Sequence, residues 1–271
     1  QGCNSTIGAT LVMELLALPA FTDNYIWMIH DGQEALVVDP GDASPVIQTL
    51  NQNGLKLKAI LVTHRHADHI AGIAALQPYL DGPIYGPESL QNSGVNHPVY
   101  EGDQITFGPL TFHVWETPGH TAEHLSFFCE QLMLAHQSTP VIFCGDTLFS
   151  AGCGRVFDGH PELLWQSLNR LAQLPEQTKI CPAHEYTLSN LDFAEAAEPS
   201  NPALHTHRQH CLNLRGRHLP TLPTTLLVER QINPYLRLTE PEIISQARMH
   251  GATTEQPEAV FIALRAWKNT F

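Results

Sequence analysis

The stretch Thr63-His64-Arg65-His66-Ala67-Asp68-His69 constrains this chain more than any other. It places three imidazoles and one carboxylate directly after the apolar run Ala59-Ile60-Leu61-Val62, which is short, branched and aliphatic, as a buried strand is. Apolar side chains then recur at helical spacing from Ile70 to Leu80. The histidines therefore fall where a strand ends and a helix begins, and open α/β sheets hold ligands at the carboxyl ends of their strands. Without a counter-charge, such a group would have to stay solvated, because desolvating imidazoles and a carboxylate together is unfavourable. Neutral imidazole and carboxylate are also the donors that zinc, iron and manganese accept. His64 and His66, two apart, point the same way from an extended segment. Asp68 and His69 follow after the chain turns and aim at a second point.

The rest of the composition narrows the possible partners. A formal net charge of −13 and the lack of a basic stripe argue against nucleic acid. No apolar run approaches the length of a membrane-spanning helix. The 16 histidines outnumber the 14 lysines and arginines, so histidine is over-represented relative to ordinary surface use. Cys3, Cys129, Cys144, Cys153, Cys181 and Cys211 form no CxxC pair, and several lie in apolar runs, as reduced thiols of a cytoplasmic protein do. Residues 1–12 lack the charged start and long apolar core of a signal peptide, and read as a leader or cloning remnant before Met13. The 271 residues suit one large domain with a smaller partner.

In chain order, Tyr25–Ile29 and Ala35–Val38 read as strands joined at Asp31-Gly32. Ser44 to Gly54 reads as a helix capped by Ser44, with Pro45 at its first position. Ile84-Tyr85-Gly86 is a short strand, Gln104 to Val114 a hairpin through Gly108-Pro109, and Leu125–Cys129 with Val141–Cys144 a strand pair. Thr239-Glu240-Pro241-Glu242 reads as a capping box opening a helix to Met249, ended by Gly251, and Pro257 to Lys268 as another helix. Strands, then helix, strand, helix, then strands again suit a layered α/β sandwich.

Further candidate ligands also follow strands. His120 lies after Leu110–Trp115, Asp146 after Val141–Cys144, and His184 after Lys179-Ile180-Cys181. With His64, His66, Asp68 and His69 they exceed what one tetrahedral or five-coordinate ion holds, so two ions sharing Asp146 account for them better. His124 reads as supporting or structural. His30, His97, His113, His136, His160, His205, His207, His210, His218 and His250 show no partner pattern and read as surface residues.

Thr63–His69, Pro118-Gly119-His120-Thr121, Gly145-Asp146-Thr147 and His184 resemble, in order, the motifs of the metallo-β-lactamase superfamily. Within it the chain is similar to the glyoxalase II, or hydroxyacylglutathione hydrolase, family. That likeness rests on Phe21–Tyr25, Gly145–Phe149, Gly152-Cys153-Gly154-Arg155 and Ala183–Thr187, and runs from about Met13 to Phe271.

The resemblance implies a four-layer αβ/βα sandwich over 13–186 and a smaller helical glutathione-binding domain over 187–271. It implies two divalent metal ions, zinc first with iron or manganese as alternatives. His64, His66 and His120 would hold one, Asp68, His69 and His184 the other, and Asp146 both. Asp68 and Asp146 are the implied catalytic residues. The implied reaction is hydrolysis of a glutathione thioester, S-lactoylglutathione, by a metal-bridged hydroxide in a cytoplasmic monomer. Arg155, Tyr186, Arg265 and Lys268 fall on positions that hold glutathione, and Arg265 and Lys268 are three apart on one helical face. Phe157 stands where the family often has tyrosine, which implies a lost hydroxyl contact. The rival readings are a single-iron oxygenase of the persulfide dioxygenase type, a β-lactamase or nuclease of the superfamily, and a metal-binding module without turnover.

Overall fold

The computed structural model describes residues 12–271; the expectation for residues 1–12 and the reading of Cys3 therefore lie almost wholly outside the described residues. One mixed sheet takes its strands in chain order: β1 (Glu14–Ala20), β2 (Asn24–His30), β3 (Glu34–Val38), β4 (Lys56–Leu61), β5 (Ile84–Gly86) and β6 (His97–Pro98). The helices α1 (Ala43–Asn53), α2 (Ala67–Ile70) and α3 (Ile73–Leu76) lie in its crossovers. The second sheet is built from β7 (Gln104–Phe107), β8 (Leu110–Glu116), β9 (Leu125–Leu134), β10 (Gln137–Gly145), β13 (Lys179–Pro182) and β14 (Thr224–Thr225), and a small pair, β11 (Leu148–Phe149) and β12 (Gly152–Cys153), sits beside it. The remaining helices are α4 (Pro161–Leu171), α5 (Thr187–Ala197), α6 (Pro202–Gly216), α7 (Leu226–Ile232), α8 (Pro241–Met249) and α9 (Pro257–Thr270).

Strand alternation explains the layers. In β2 every residue is buried, Tyr25, Trp27 and Ile29 toward the second sheet and Ile26 and Met28 toward α1 and α3. In β10, Val141 and Phe143 join that same inter-sheet core, whereas Ile142 and Cys144 face outward onto α4, α8 and α9. The two sheets thus pack face to face with helices outside each, the expected four-layer arrangement. The outer cluster mixes Leu164 and Leu168 of α4 with Ile243, Val260, Phe261 and Leu264 of α8 and α9. Residues beyond 187 therefore complete the fourth layer of the sandwich as well as forming helices of their own.

Several local expectations need correction. The first helix is capped by Asp42, whose carboxylate accepts from Ser44 N at 2.9 Å, rather than by Ser44. Gly54 does end it, at φ 65°. Residues 70–80 are broken into α2, α3 and a 3-10 turn, because the chain bends at Gly72 to donate to Pro40 O at 3.0 Å. A Cβ there would lie 2.5 Å from that carbonyl. The capping box at Thr239 does not form; Glu240 stands at the cap of α8 without a side-chain hydrogen bond. Cys129, Cys144, Cys153, Cys181 and Cys211 are buried free thiols. His30 is buried rather than exposed, with Nδ1 accepting from Gly32 N and Nε2 3.5 Å from Glu14. His113 and His207 are half-buried.

Candidate metal centre

Parallel pairing of β3 with β4 sets the site. Val38 is in register with Leu61, so Asp39 and Thr63 emerge side by side just past the strand ends. Asp39, at φ 53°, accepts from Thr63 N at 2.7 Å and from Thr63 Oγ1 at 2.6 Å. The same carboxylate accepts from His69 Nδ1 at 2.8 Å. Gly41 lets this loop press against α2: a Cβ would sit 1.7 Å from Asp68 O.

The tautomers follow from the hydrogen bonds. His64 Nδ1 donates to Thr63 Oγ1 (2.9 Å), His69 Nδ1 to Asp39, His120 Nδ1 to Arg155 O (2.8 Å), and His184 Nδ1 to Asp23 Oδ1 (2.9 Å). With each Nδ1 proton committed, each Nε2 presents a lone pair, and all four Nε2 atoms turn inward. His64 Nε2 and His120 Nε2 each lie 3.1 Å from His66 Nδ1. Ligands at about 2.0–2.1 Å around one tetrahedral zinc have N···N edges of about 3.3 Å, so these three nitrogens are spaced for one ion. Without a cation, converging lone pairs would repel.

Asp146 Oδ2 reaches both groups. It is 3.3 Å from His120 Nε2 and 3.7 Å from His64 Nε2, and 3.4 Å from both His69 Nε2 and His184 Nε2. Asp68 Oδ2 is 3.3 Å from His69 Nε2 and from His184 Nε2. The ligand atoms gather as His64, His66, His120 and Asp146 on one side and Asp68, His69 and His184 on the other, and a third group, Asp39 with His64 and His69, lies on the side of the hydrogen-bonded Nδ1 of His69. His69 Nε2 and Asp146 Oδ1 are buried without a hydrogen-bond partner, an unfavourable state that bound cations would relieve. The donor set fits a pair of metal ions.

The electrostatics agree. Burial works against a charged His69, yet Asp146 and Asp39 hold its pKa well above the ordinary imidazole value. For His184 burial is likewise outweighed, by Asp146 and Asp68, and its pKa is pushed up to about 10. Burial would raise Asp146, but His69, His120 and His184 keep it well below the carboxylate range. His64, buried among other imidazoles, is lowered. Protons are thus drawn to the places where cations would bind, and metal binding would release them.

Sequence reasoning missed the supports. By pattern alone Asp39 stops a strand, and Asp23 and Asn24 belong to the Phe21–Tyr25 motif, with no support role visible; in the structure Asn24 Nδ2 donates to Asp68 Oδ2 at 2.9 Å. Asp146 N donates to His124 Nε2 at 3.2 Å, and the His124 ring stacks on His64 with centroids 4.9 Å apart. Arg65 pairs with Glu123 and Asp158 and ties the loop bearing Phe157 to the histidine loop. Phe157 lies edge-on to His66 and His120. The signal available was positional: Asp39 directly follows the strand neighbouring the histidine strand.

A cavity of ≈ 420 Å³ opens over the centre and is lined by ligands together with Arg155, Phe157, Tyr186, Arg265 and Lys268. The four expected glutathione residues are therefore brought together, but in different states. Arg155 is exposed, and no ion pair engages it or Lys268 among the described residues. Lys268 Nζ lies over the Phe193 and Phe271 rings at 5.3 and 5.6 Å, its pKa lowered by burial and by Arg265. Tyr186 stacks on His184 at 4.6 Å and 5°. Arg265 is only 5% exposed; its Nη1 donates to Cys153 O (2.9 Å) and Gly154 O (3.2 Å) and its Nη2 to Asn269 Oδ1 (3.1 Å).

Comparison with known proteins places this geometry. The family model described as metallo-beta-lactamase superfamily matches residues 20–184, and that described as hydroxyacylglutathione hydrolase C-terminus matches 185–271. A hydroxyacylglutathione hydrolase of Albidiferax ferrireducens is 48% identical over 262 residues, covering 96% of this chain and 100% of that protein. One from Vibrio cholerae is 44% identical with the same coverage. Among solved structures, a chain crystallised in a di-iron-bound form aligns with TM-score 0.55 at 24% identity, covering 82% of this chain and 100% of that one, which shows the shared fold.

Proposed function

The chain belongs to the hydroxyacylglutathione hydrolase family of the metallo-β-lactamase superfamily, and from that premise we propose that it hydrolyses S-lactoylglutathione, or a close 2-hydroxyacyl analogue, to the hydroxy acid and glutathione. One observation carries the reading: two sets of metal-donor atoms joined at Asp146 and the cations Arg155, Arg265 and Lys268 open into the same cavity. A β-lactam substrate would not call for so many cations, and a net charge of −13 disfavours a nuclease.

His64, His66 and His120 would hold one ion, Asp68, His69 and His184 the other, and Asp146 would touch both. Zinc suits these donors best, and iron and manganese are accepted by them too. Bound there, two divalent ions supply Lewis acidity and water of lowered pKa. The chain's own groups do the rest. Asp146, held ionised, stays a ligand and hydrogen-bond acceptor and has no proton to donate at neutral pH. Tyr186 is kept protonated, chiefly by burial, and offers its phenol as a donor to the substrate. Cys153 is likewise held as a thiol by burial, so it is no nucleophile. None of these groups is poised as a general acid for the sulfur, and a thiolate leaving group of pKa about 8.5 departs without one.

At the far end of the substrate, Lys268 and Arg155 meet the carboxylates directly. Arg265, with both terminal guanidinium nitrogens engaged, contributes positive charge and holds the loop at Cys153 and Gly154. Phe157 offers an apolar edge where a hydroxyl is absent. We assign residues 13–186 to the catalytic unit and 187–271 to the glutathione-binding unit, in a cytoplasmic monomer. No helix among the described residues is long and apolar enough to cross a membrane.

The test couples thioester absorbance to elemental analysis of undialysed protein. Turnover of S-lactoylglutathione with close to two ions per chain is expected. Full activity with one ion would sink the shared-Asp146 assignment, and metal-loaded protein inert to every glutathione thioester would sink the activity.

A further inference from the structure

A second cavity, of ≈ 460 Å³, borders the centre at Asp68, the one lining residue it has in common with the cavity above. Phe21 and Thr22, from the turn between β1 and β2, form part of its wall, and Ala67 and Ala71, at the two ends of α2, form another part. Its lining contains no lysine or arginine. It is therefore ill suited to the carboxylates of glutathione, which the cations of the first cavity attract. Phe21 is 60% exposed and has φ 52°. A large apolar side chain held toward water on a left-handed backbone is unfavourable twice over, and such positions cluster at functional sites. The backbone there is held from both sides. Ala20 is in register with Asn24, Asp23 Oδ1 accepts from His184 Nδ1, and Asn24 donates to Asp68.

A thioester has two arms diverging from its carbonyl carbon. If the sulfur arm runs toward Arg155 and Lys268 and the carbonyl lies by Asp68 and Asp146, the acyl arm is left facing an apolar groove that begins at Asp68. We propose that this groove receives the acyl arm, and that Phe21 sets the acyl preference in favour of apolar and aromatic 2-hydroxyacyl groups larger than lactoyl. This rests on the glutathione-thioester reading above.

The experiment compares S-acetylglutathione with S-mandeloylglutathione on metal-loaded protein, in the parent, Phe21→Ala and Ala71→Leu. The first variant removes the ring, and the second narrows the groove from the α2 side. The ratio of kcat/KM for mandeloyl over acetyl should fall on the order of tenfold in each variant, the range that apolar pockets discriminate. Mandelate gives a readout without turnover: its binding, followed by saturation-transfer NMR, should weaken in both variants relative to lactate. A ratio unmoved in both, or equal losses on both thioesters, overturns the proposal and makes Phe21 a structural turn residue. A parent that turns over no glutathione thioester, yet binds mandelate through Phe21 and Ala71, overturns the activity reading and leaves the groove standing.

Discussion

The metal side and the cation side of the main cavity are built on opposite plans. On the metal side His64, His69, His120 and His184 are buried, and each has its second ring nitrogen tied to Thr63, Asp39, Arg155 O or Asp23. On the other side Arg155 and Lys268 carry charge with no ion-pair partner among the described residues. Arg265 sits between the plans, a cation in the cavity wall but bonded like a buried structural group. The difference teaches where precision is needed. Donor atoms around an ion must be set within tenths of an ångström, whereas a flexible anionic tail is held by charge at the end of a mobile side chain. The two sides should therefore fail differently when altered.

The largest effect is expected from Asp146→Ala, which removes the carboxylate whose Oδ2 lies within 3.7 Å of an imidazole Nε2 in both donor groups. Metal content should fall at both positions, and activity on the order of a hundredfold or more. His69→Ala serves as the control, since it should weaken one position more than the other. Equal loss of both ions in His69→Ala, seen by elemental analysis, would break the assignment of Asp146 as the shared ligand.

Next comes Asp39→Asn, which touches no proposed ion. It replaces an acceptor shared by Thr63 and His69 with a group that can satisfy only part of the demand. Metal affinity should drop about 10–100-fold, the usual consequence of losing a group that orients a ligand. Competition with a chelator measures it. An unchanged affinity would mean the His69 ring is positioned by packing alone.

The smallest effect on chemistry is expected from Lys268→Ala, which should raise KM about tenfold with kcat little changed, since a charge-assisted contact contributes about 1.5–3 kcal/mol and this one is half exposed. Arg265→Ala should part company with it. Removing that guanidinium leaves the Cys153 and Gly154 carbonyls without their donor and should lower stability by about 2 kcal/mol, read as a shift in denaturant midpoint. The same shift in both variants, or none in either, would erase the distinction between a binding cation and a structural one.

Much of this was legible in the chain itself. Continuous apolar runs in β2, β4 and β10 defined strands buried on both faces, and the donor-rich turns directly after them could only collect along one edge of the sheets. The seven donors could be counted from their chemistry and position. The supporting shell was not legible, because nothing local in Asp39, Asp23 or Asn24 shows the partners that the fold sets beside them from far along the chain: His69, His184 and Asp68. Breakage of the helix after Ile70 was hidden too, since periodicity reports which residues are apolar, and the break arises from contact of Gly72 with Pro40 on another loop.

What the amino-acid order determined by itself, then, is which donors exist and which strand end carries each, since both follow from local spacing and residue chemistry. Only the tertiary structure decided which nitrogen of each histidine faces the centre, because a tautomer depends on the partner of the other nitrogen. Only it separated Lys268 from Arg265, neighbours on one helix face whose hydrogen bonds differ because Arg265 alone meets the carbonyls of residues 153–154. Hydrogen bonds between residues far apart in the chain are made by the packing of layers, and no local pattern encodes them.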